Sequence, residues 1–360
     1  MKAPTLLSRE QFKERTLTRL DGRCCVPGCL SPAVDAHHII ERRLWPDEGY
    51  YLDNGAPLCS EHHIKAETTE ISAEDLRRYC GIETTLLPPQ FVLGERIDKW
   101  GNYILANGTR YQGEMFHDEQ VQKALKMGGL LSIVSHHTKH PRTPHLPNSP
   151  GASDDDRILP STTHMHGKRV IMTEKRDGEC TTMYADHIHA RSLDSKHHSS
   201  RDWVKGYWNI LRHDIPEKWR VVGENLYARH SIGYAALPSW FEGYFIWNER
   251  NECLSWDETI EWFSLIGAAA NMPITPVPVL YDGIYNEAAI ESAWQALLEH
   301  DRSTAVGGKV QEREGYVIRI ADEFRYRDFA GNVAKWVRPG HVTTSSHWMH
   351  AEVIPNGISR

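Results

Sequence analysis

Residues 168–186 read KRVIMTEKRDGECTTMYAD. Two β-type runs, KRVIMTEK and CTTMYAD, flank a charged turn in which Lys175, Asp177 and Gly178 form the pattern K-x-D-G. Similar short runs follow: WRVVGENLY (219–227), GYFIWNE (243–249) and GYVIRIA (315–321). They are rich in β-branched and aromatic residues and are bounded by turns, which predicts strands. Helical patterns intervene at SRDWVKGYWNILRH (200–213), SWDETIEWFSLIG (255–267) and NEAAIESAWQALLEH (286–300). Ser255 and Glu258 stand S-x-x-E before an apolar run, which predicts a capping box. Strands broken by isolated helices predict an α+β domain built on antiparallel sheets.

Upstream the character changes. PRTPHLPNSPGASDDDR (141–157) is rich in Pro, Ser and Asp and predicts an ordered loop or linker. GERIDKWGNYILANGTRYQGE (94–114) carries Asn107-Gly108 between apolar–polar alternations, a hairpin signal. DEQVQKALKMGGLLSIV (118–134) predicts a short helix stopped by Gly128-Gly129. The first 85 residues are rich in Cys and His. The expected organisation is therefore 1–85 as a metal domain, 86–140 as a linker or small accessory segment, and 141–360 as the large domain.

Cys24, Cys25, Cys29 and Cys59 account for four of the seven cysteines. An odd number clustered beside histidines fits zinc in a reducing compartment better than a disulfide framework. Zinc takes four ligands in a tetrahedron, usually from two short knuckles. Cys25-x3-Cys29 and Cys59-x2-His62 are such knuckles, with Cys24 able to replace Cys25 and His63 able to replace His62.

The chain has 360 residues and a formal charge of -7, so any nucleic-acid surface must be a local basic patch rather than an overall bias. MKAPTLLSREQFKERT has no apolar core of signal-peptide length, and no apolar run approaches the ~20 residues that span a bilayer. A soluble, cytoplasmic protein without membrane association is expected. The histidine-rich stretches SHHTKH (135–140), THMHGK (163–168) and DSKHHSS (194–200) match no metal spacing and read as polar surface or phosphate contacts.

RCCVPGC, DAHHII and DNGAPLCSEHHIK together resemble the HNH endonuclease family, in which a hairpin and a helix clasp a metal. The resemblance implies that His38 is the general base, that His37 and His63 hold a divalent metal, and that Asn54 braces the loop aiming His38. A divalent metal there would stabilise charge on the scissile phosphate.

Lys175-x-Asp177-Gly178, Arg191 in HARSLD, Glu224 in VVGENLY, Phe245 in GYFIWNE, Glu314-Gly315 in EGYVIR and Lys335 in AKWVRPG form an ordered set. In that order they resemble the covalent nucleotidyltransferase superfamily of ATP-dependent ligases and mRNA capping enzymes. PRTPHLPNSPG, HARSLDS, GENLYARHS and EGYVIRIADEF resemble the bacterial and phage RNA ligase family in particular. The implied fold is an antiparallel-sheet, ATP-grasp-like ligase domain preceded by a small ββα-metal HNH zinc domain. The implied activity is ATP-dependent joining of a 5′-phosphate to a 3′-hydroxyl end of RNA or DNA, with RNA favoured, through AMP carried on Lys175.

By the same resemblance Glu174 and Phe245 contact adenine, with Asp177 and Gly178 part of the nucleotide site. Arg191 and Glu224 hold the ribose or a phosphate. Glu314 coordinates Mg2+ or Mn2+. Lys335 contacts the α-phosphate and helps to depress the Lys175 pKa, and Arg338 supplies a further charge. The sequence departs from the family pattern where Cys180 stands in place of Asn, and where Val333 and Val337 flank Lys335 instead of a second lysine. An unperturbed lysine has a pKa of about 10.4, so its amine must be made neutral before it can attack phosphorus. Two other readings use the same residues: a zinc domain that binds nucleic acid without cutting, and a self-adenylylating sensor paired with an active nuclease. No separate oligonucleotide-binding barrel is expected in the roughly 22 residues beyond Arg338.

Overall fold

The computed structural model describes residues 4–106, 108–153, 156–193, 195, 197–303, 313–340 and 353–359. Asn107 of the hairpin signal, and Asp154, Asp155, Asp194 and Lys196 of the quoted stretches, lie outside the described residues, as does much of the segment beyond Arg338. The chain forms two compact units, Met1–Lys139 and His140–Arg360. No helix among the described residues is long and apolar enough to cross a membrane.

In the first unit, helix α1 (Arg9–Thr18) starts at a capping box in which Ser8 accepts from the Gln11 amide and Gln11 accepts from the Ser8 amide. Strands β1 (Asp35–His38) and β2 (Gly55–Leu58) form an antiparallel hairpin with His38 opposite Gly55. Helices α2 (Ser60–Glu67) and α3 (Ala73–Tyr79) follow. Next come β3 (Tyr103–Ile104), β4 (Arg110–Tyr111), α4 (Glu119–Met127) and β5 (Val134–Ser135), the three strands forming one small sheet. β3 and β4 pair antiparallel on either side of the Asn-Gly turn signal. α4 ends at Gly128. Phe91, Ile97, Trp100, Val121 and Leu125 share one buried core with Ile39, Ile40, Leu58 and Leu76, so the segment 86–139 packs into one body with residues 1–85 instead of standing apart as a linker.

The second unit holds β6 (Arg169–Lys175), β7 (Glu179–Tyr184), β8 (Ile188–Ala190), α5 (Asp202–Leu211), β9 (Arg220–Asn225), β10 (Phe241–Trp247) and β11 (Glu252–Cys253). Then follow α6 (Trp256–Leu265), β12 (Thr275–Pro276), β13 (Val279–Ile284), α7 (Glu287–Ser303), β14 (Gly315–Ile320), β15 (Phe324–Arg325), α8 (Phe329–Asn332) and β16 (Val333–Val337). One sheet runs β15-β11-β10-β9-β7-β8, with β12 beside β10, and the other runs β13-β6-β14-β16. All of these pairings are antiparallel except β10 with β12. The predicted capping box of α6 forms, with Ser255 and Glu258 exchanging bonds.

Strand periodicity decides which side chains reach the interior between the sheets. On β6, β14 and β16, Val170, Met172, Tyr316, Ile318, Ala334 and Trp336 pack with Ile290, Trp294 and Leu297 of α7. Those three helical positions are spaced four and three residues apart, which aligns them on one face. Their strand neighbours Thr173, Lys175, Val317, Arg319 and Lys335 face the other way and line a cavity. On β9, Val221 joins the core covered by α5 and α6, whereas Val222 packs with Phe245 and Trp247.

Candidate functional site

β6 and β7 belong to different sheets, so the turn 176–178 carries the chain from one to the other. That places Lys175 at the mouth of the step. The cavity there has a volume of about 580 Å3 and is lined from both sheets. Of the residues predicted from sequence, Glu174, Lys175, Gly178, Arg191, Glu224, Phe245 and Lys335 line it. Glu314 joins them through Lys175, whose Nζ lies 2.6 Å from Glu314 Oε1.

Lys175 sits among carboxylates. Burial pulls its ammonium pKa down, but the charges of Glu314, Glu224 and Asp177 outweigh that and move it up. The expectation of a depressed lysine is therefore not met by the protein groups alone. Lys335 and Lys175 repel each other, but the carboxylates outweigh that effect at Lys175; burial lowers the Lys335 pKa, and its Nζ lies 3.7 Å from Asp156 Oδ1. Burial, with the charges of Glu314 and Asp177 added, pushes the Glu224 carboxyl up to about 8 against the opposing pull of Lys175. Its Oε1 accepts from the Gly178 amide at 3.2 Å and its Oε2 from the Tyr244 hydroxyl at 3.3 Å. Gly178 must be glycine, because a Cβ would lie 2.5 Å from the Asn225 carbonyl oxygen. Glu314 Oε2 is buried without a hydrogen-bond partner. An orphaned, buried carboxylate oxygen beside two further acids fits a divalent cation.

Two predicted contacts differ from expectation. The Glu174 carboxylate accepts from Arg176 at 2.9 Å and from Arg313 at 2.7 Å, and Arg176 also bridges to buried Glu242 at 2.8 Å. Its side chain is thus committed to a buried ion network instead of being free for a base. Arg338 does not line the cavity; its Nε donates to the Arg313 carbonyl at 2.9 Å. Asp177 serves the loop, accepting from the Ile232 amide at 2.7 Å.

Phe245 is buried, and it is the register of β10 that presents it to the cavity. The pairing with β9 slips between Gly243 and Phe245, so Tyr244 sits in a bulge. Tyr244 and Phe245 would otherwise face opposite sides, yet both line the cavity. Tyr244 was not singled out from sequence, and only its position next to Phe245 could have signalled it. The thiol of Cys180 lies beside the Tyr244 hydroxyl, and burial pushes its pKa up to about 12. Arg319 was also missed. It is buried with Phe245, Trp256 and Phe324 around its guanidinium, and its Nη1 has no partner. Arg191 is exposed at the rim. His140, from a stretch read as polar surface or phosphate contacts, is buried beside Phe245 and Phe329 and lines the cavity.

In the first unit the ligand atoms of Cys24, Cys29, Cys59 and His62 lie within 4.8 Å of one another. Cys59 Sγ is 3.2 Å and Cys24 Sγ 3.4 Å from His62 Nδ1, and the Cys29 and Cys59 sulfurs are 3.9 Å apart. Two thiolates on a tetrahedral zinc with Zn–S bonds of about 2.3 Å stand roughly 3.8 Å apart, so the set fits zinc. Cys24, not Cys25, faces this cluster. Cys25 is turned to Cys80, where that thiol and burial raise its pKa.

A second cluster joins His37, His63 and Glu67. Glu67 Oε1 lies 3.3 Å from His37 Nδ1, 3.4 Å from His63 Nε2 and 3.1 Å from Lys99 Nζ. Burial alone would raise the Glu67 carboxyl, but His37, His63 and the charge of Lys99 hold it well below the usual range. Both ring nitrogens of His37 are buried without a good hydrogen bond, which fits a metal ligand. Glu67 was missed although it follows His63 by one helical turn on α2. Lys99 left no local signal. His38 stacks on Phe12 at 4.4 Å, and burial lowers its pKa to about 4. Asn54 accepts from the Ile40 amide at 2.9 Å and donates to the carbonyls of Ile40 at 3.0 Å and Gly49 at 3.1 Å.

Residues 168–337 match the family model described as RNA ligase. That is just under half of the chain, and it holds every cavity residue from Lys175 to Lys335. No curated protein matches the chain. Among solved structures it is similar to Naegleria gruberi RNA ligase with pyrophosphate, at 17% identity and a TM-score of 0.36, covering 57% of this chain and 56% of that one. It is similar also to a variant of that enzyme with ATP and manganese, at 15% identity and 0.36, covering 57% of each chain. A variant with AMP and manganese gives 16% and 0.37, covering 57% and 56%. The chain thus spans somewhat over half the length of the ligase chains it resembles.

Proposed function

We propose that this protein is an ATP-dependent polynucleotide ligase of RNA that works through AMP on Lys175, fused to an HNH-type zinc nuclease. The observation that carries the first part is the 2.6 Å contact of Lys175 Nζ with Glu314 Oε1 at the wall of a cavity within the RNA ligase match.

The chemistry follows from the residues. The Lys175 amine attacks the α-phosphorus of ATP; an N–P bond forms, a P–O bond breaks and pyrophosphate leaves. The proton must first depart from Nζ, and Glu314 Oε1 is within hydrogen-bond reach of it. A divalent cation, Mg2+ or Mn2+, held by Glu314 and Glu224 would supply positive charge beside the amine and the phosphates. Arg191 at the rim and Lys335 inside the cavity would take phosphate oxygens. Tyr244 and Phe245 offer ring faces for the base. AMP then passes to a 5′-phosphate end, and a 3′-hydroxyl displaces it.

The nuclease reading rests on the second cluster. Zinc held by Cys24, Cys29, Cys59 and His62 would fix the ββα fold, as structural zinc does elsewhere. His37, His63 and Glu67 would hold a second divalent ion beside His38. A binding adaptor needs only the first cluster.

Incubation with α-labelled ATP and Mg2+, followed by denaturation, should leave label on the wild-type chain and none on Lys175→Ala. Folded, metal-loaded, nucleotide-free wild type that takes no label would exclude the ligase reading.

A further inference from the structure

The seven-residue segment Val353–Ser359 lies beyond the last ligase motif and matched no motif. Among the described residues, those between β9 and β10, 226–240, form no regular helix or strand, yet Leu226, Ile232, Tyr234 and Leu237 bury a small core there. Buried irregular backbone must find hydrogen-bond partners somewhere. Val353–Ser359 supplies them.

The Arg229 amide donates to the Ile354 carbonyl at 2.8 Å, and the Asn356 amide to the Tyr227 carbonyl at 2.9 Å. The Leu237 amide donates to the Gly357 carbonyl at 2.9 Å, and the Gly357 amide to the Tyr234 carbonyl at 2.8 Å. Buried Asn356 is the centre. Its Oδ1 accepts from the Tyr234 amide at 2.9 Å, its Nδ2 donates to the Leu226 carbonyl at 2.8 Å, and its carbonyl accepts from Trp240 Nε1 at 2.8 Å. Gly357 approaches so closely that a Cβ would lie 2.1 Å from the Ala235 carbonyl oxygen.

The clamped loop in turn holds the turn that carries Lys175. The Asp177 amide donates to the Tyr234 hydroxyl at 2.9 Å, and the Asp177 carboxylate accepts from the Ile232 amide at 2.7 Å. The Tyr234 ring also lies 5.1 Å from the Arg176 guanidinium. His230, from the same loop, lines the cavity.

We infer that Val353–Ser359 is a strap that positions the nucleophile, with Asn356 as its positioning residue acting through Tyr234 and Asp177 on Lys175. The inference rests on the ligase reading. An error of about 1 Å in a reacting group can cost on the order of a hundredfold in rate, so loss of the strap should slow lysyl-AMP formation and leave ATP binding in place.

The test measures lysyl-AMP formation against ATP concentration for wild type, Asn356→Ala and a chain ending at residue 352, each with circular dichroism and a melting curve. A synthetic peptide of residues 353–360 is then added to the shortened chain. The expected result is a fall of about tenfold or more in the rate at saturating ATP, half-saturation within about threefold of wild type, and recovery with the peptide but not with its Asn356→Ala version. Equal rates for wild type and Asn356→Ala would overturn the strap. So would a loss that tracks unfolding in both variants and is not restored by peptide. Absence of label on wild type would instead overturn the ligase reading.

Discussion

Lys175 and Glu314 meet across neighbouring antiparallel strands: Gly315 stands opposite Lys175 in the register of β14 with β6, and Glu314, one step earlier, closes a 2.6 Å ion pair on its amine. On the proposed mechanism this pair keeps the Lys175 amine charged until a cation takes the carboxylate. Glu314→Gln removes the largest upward influence on the Lys175 pKa, so the amine becomes a better nucleophile in the absence of ATP and metal. Labelling of Lys175 by an amine-selective acylating reagent near pH 8 should rise in the variant. Lysyl-AMP formation should fall by about a hundredfold or more if, as proposed, the same carboxylate holds the cation. Peptide mapping of the acylated lysine and the ATP-labelling assay read the two effects separately.

Cys24 and Cys25 adjoin in sequence but serve different sites. If this set holds zinc as proposed, Cys24→Ser should lower the zinc content of purified protein and unfold the first unit, since structural zinc contributes directly to folding. Cys25→Ser should keep its zinc and change stability by no more than about 1–2 kcal/mol through the Cys80 contact. Atomic emission on both variants decides it; equal zinc loss would mean that the cluster is wrongly assigned.

Asn54 ties Ile40 to Gly49 with three side-chain bonds, all buried. Asn54→Ala leaves the Ile40 amide and carbonyl without partners, whereas the Gly49 carbonyl keeps the Tyr51 amide at 2.8 Å. At about 1–3 kcal/mol for each buried orphan, a loss of the order of 3 kcal/mol is expected in denaturant unfolding. If the HNH reading holds, cleavage of a labelled nucleic acid should fall as well, whereas His38→Ala should abolish cleavage and keep zinc content and lysyl-AMP formation intact.

His140 is buried among aromatic rings, and burial, assisted by the charges of Arg220 and Arg191, lowers its pKa to about 3. The unfolded chain titrates this histidine near 6.5. Between these values the unfolded state binds the extra proton, so stability present above pH 6.5 is lost as pH falls toward 3, at up to about 1.4 kcal/mol per pH unit. Unfolding of the wild type and of His140→Phe across pH 4–7 should differ in slope by that amount. Parallel curves would show that His140 is charged in the folded state.

The sequence by itself determined the strands around Lys175, the α6 capping box, the helix ended by Gly128 and the ordered run of motif residues from Lys175 to Lys335. These rest on local patterns: two-residue alternation, cap chemistry and turn residues act within a few positions of the chain. Tertiary structure alone decided the rest. It turned Cys24 rather than Cys25 toward His62, brought Glu67 and Lys99 to His37, and engaged the Glu174 carboxylate with Arg313. It also put Tyr244 beside Phe245 through a bulge and set Asn356 against Tyr234. In each case the deciding contact joins segments far apart in sequence or depends on a one-residue register slip. Spacing along the chain carries no information about which distant backbone group will need a partner once it is buried.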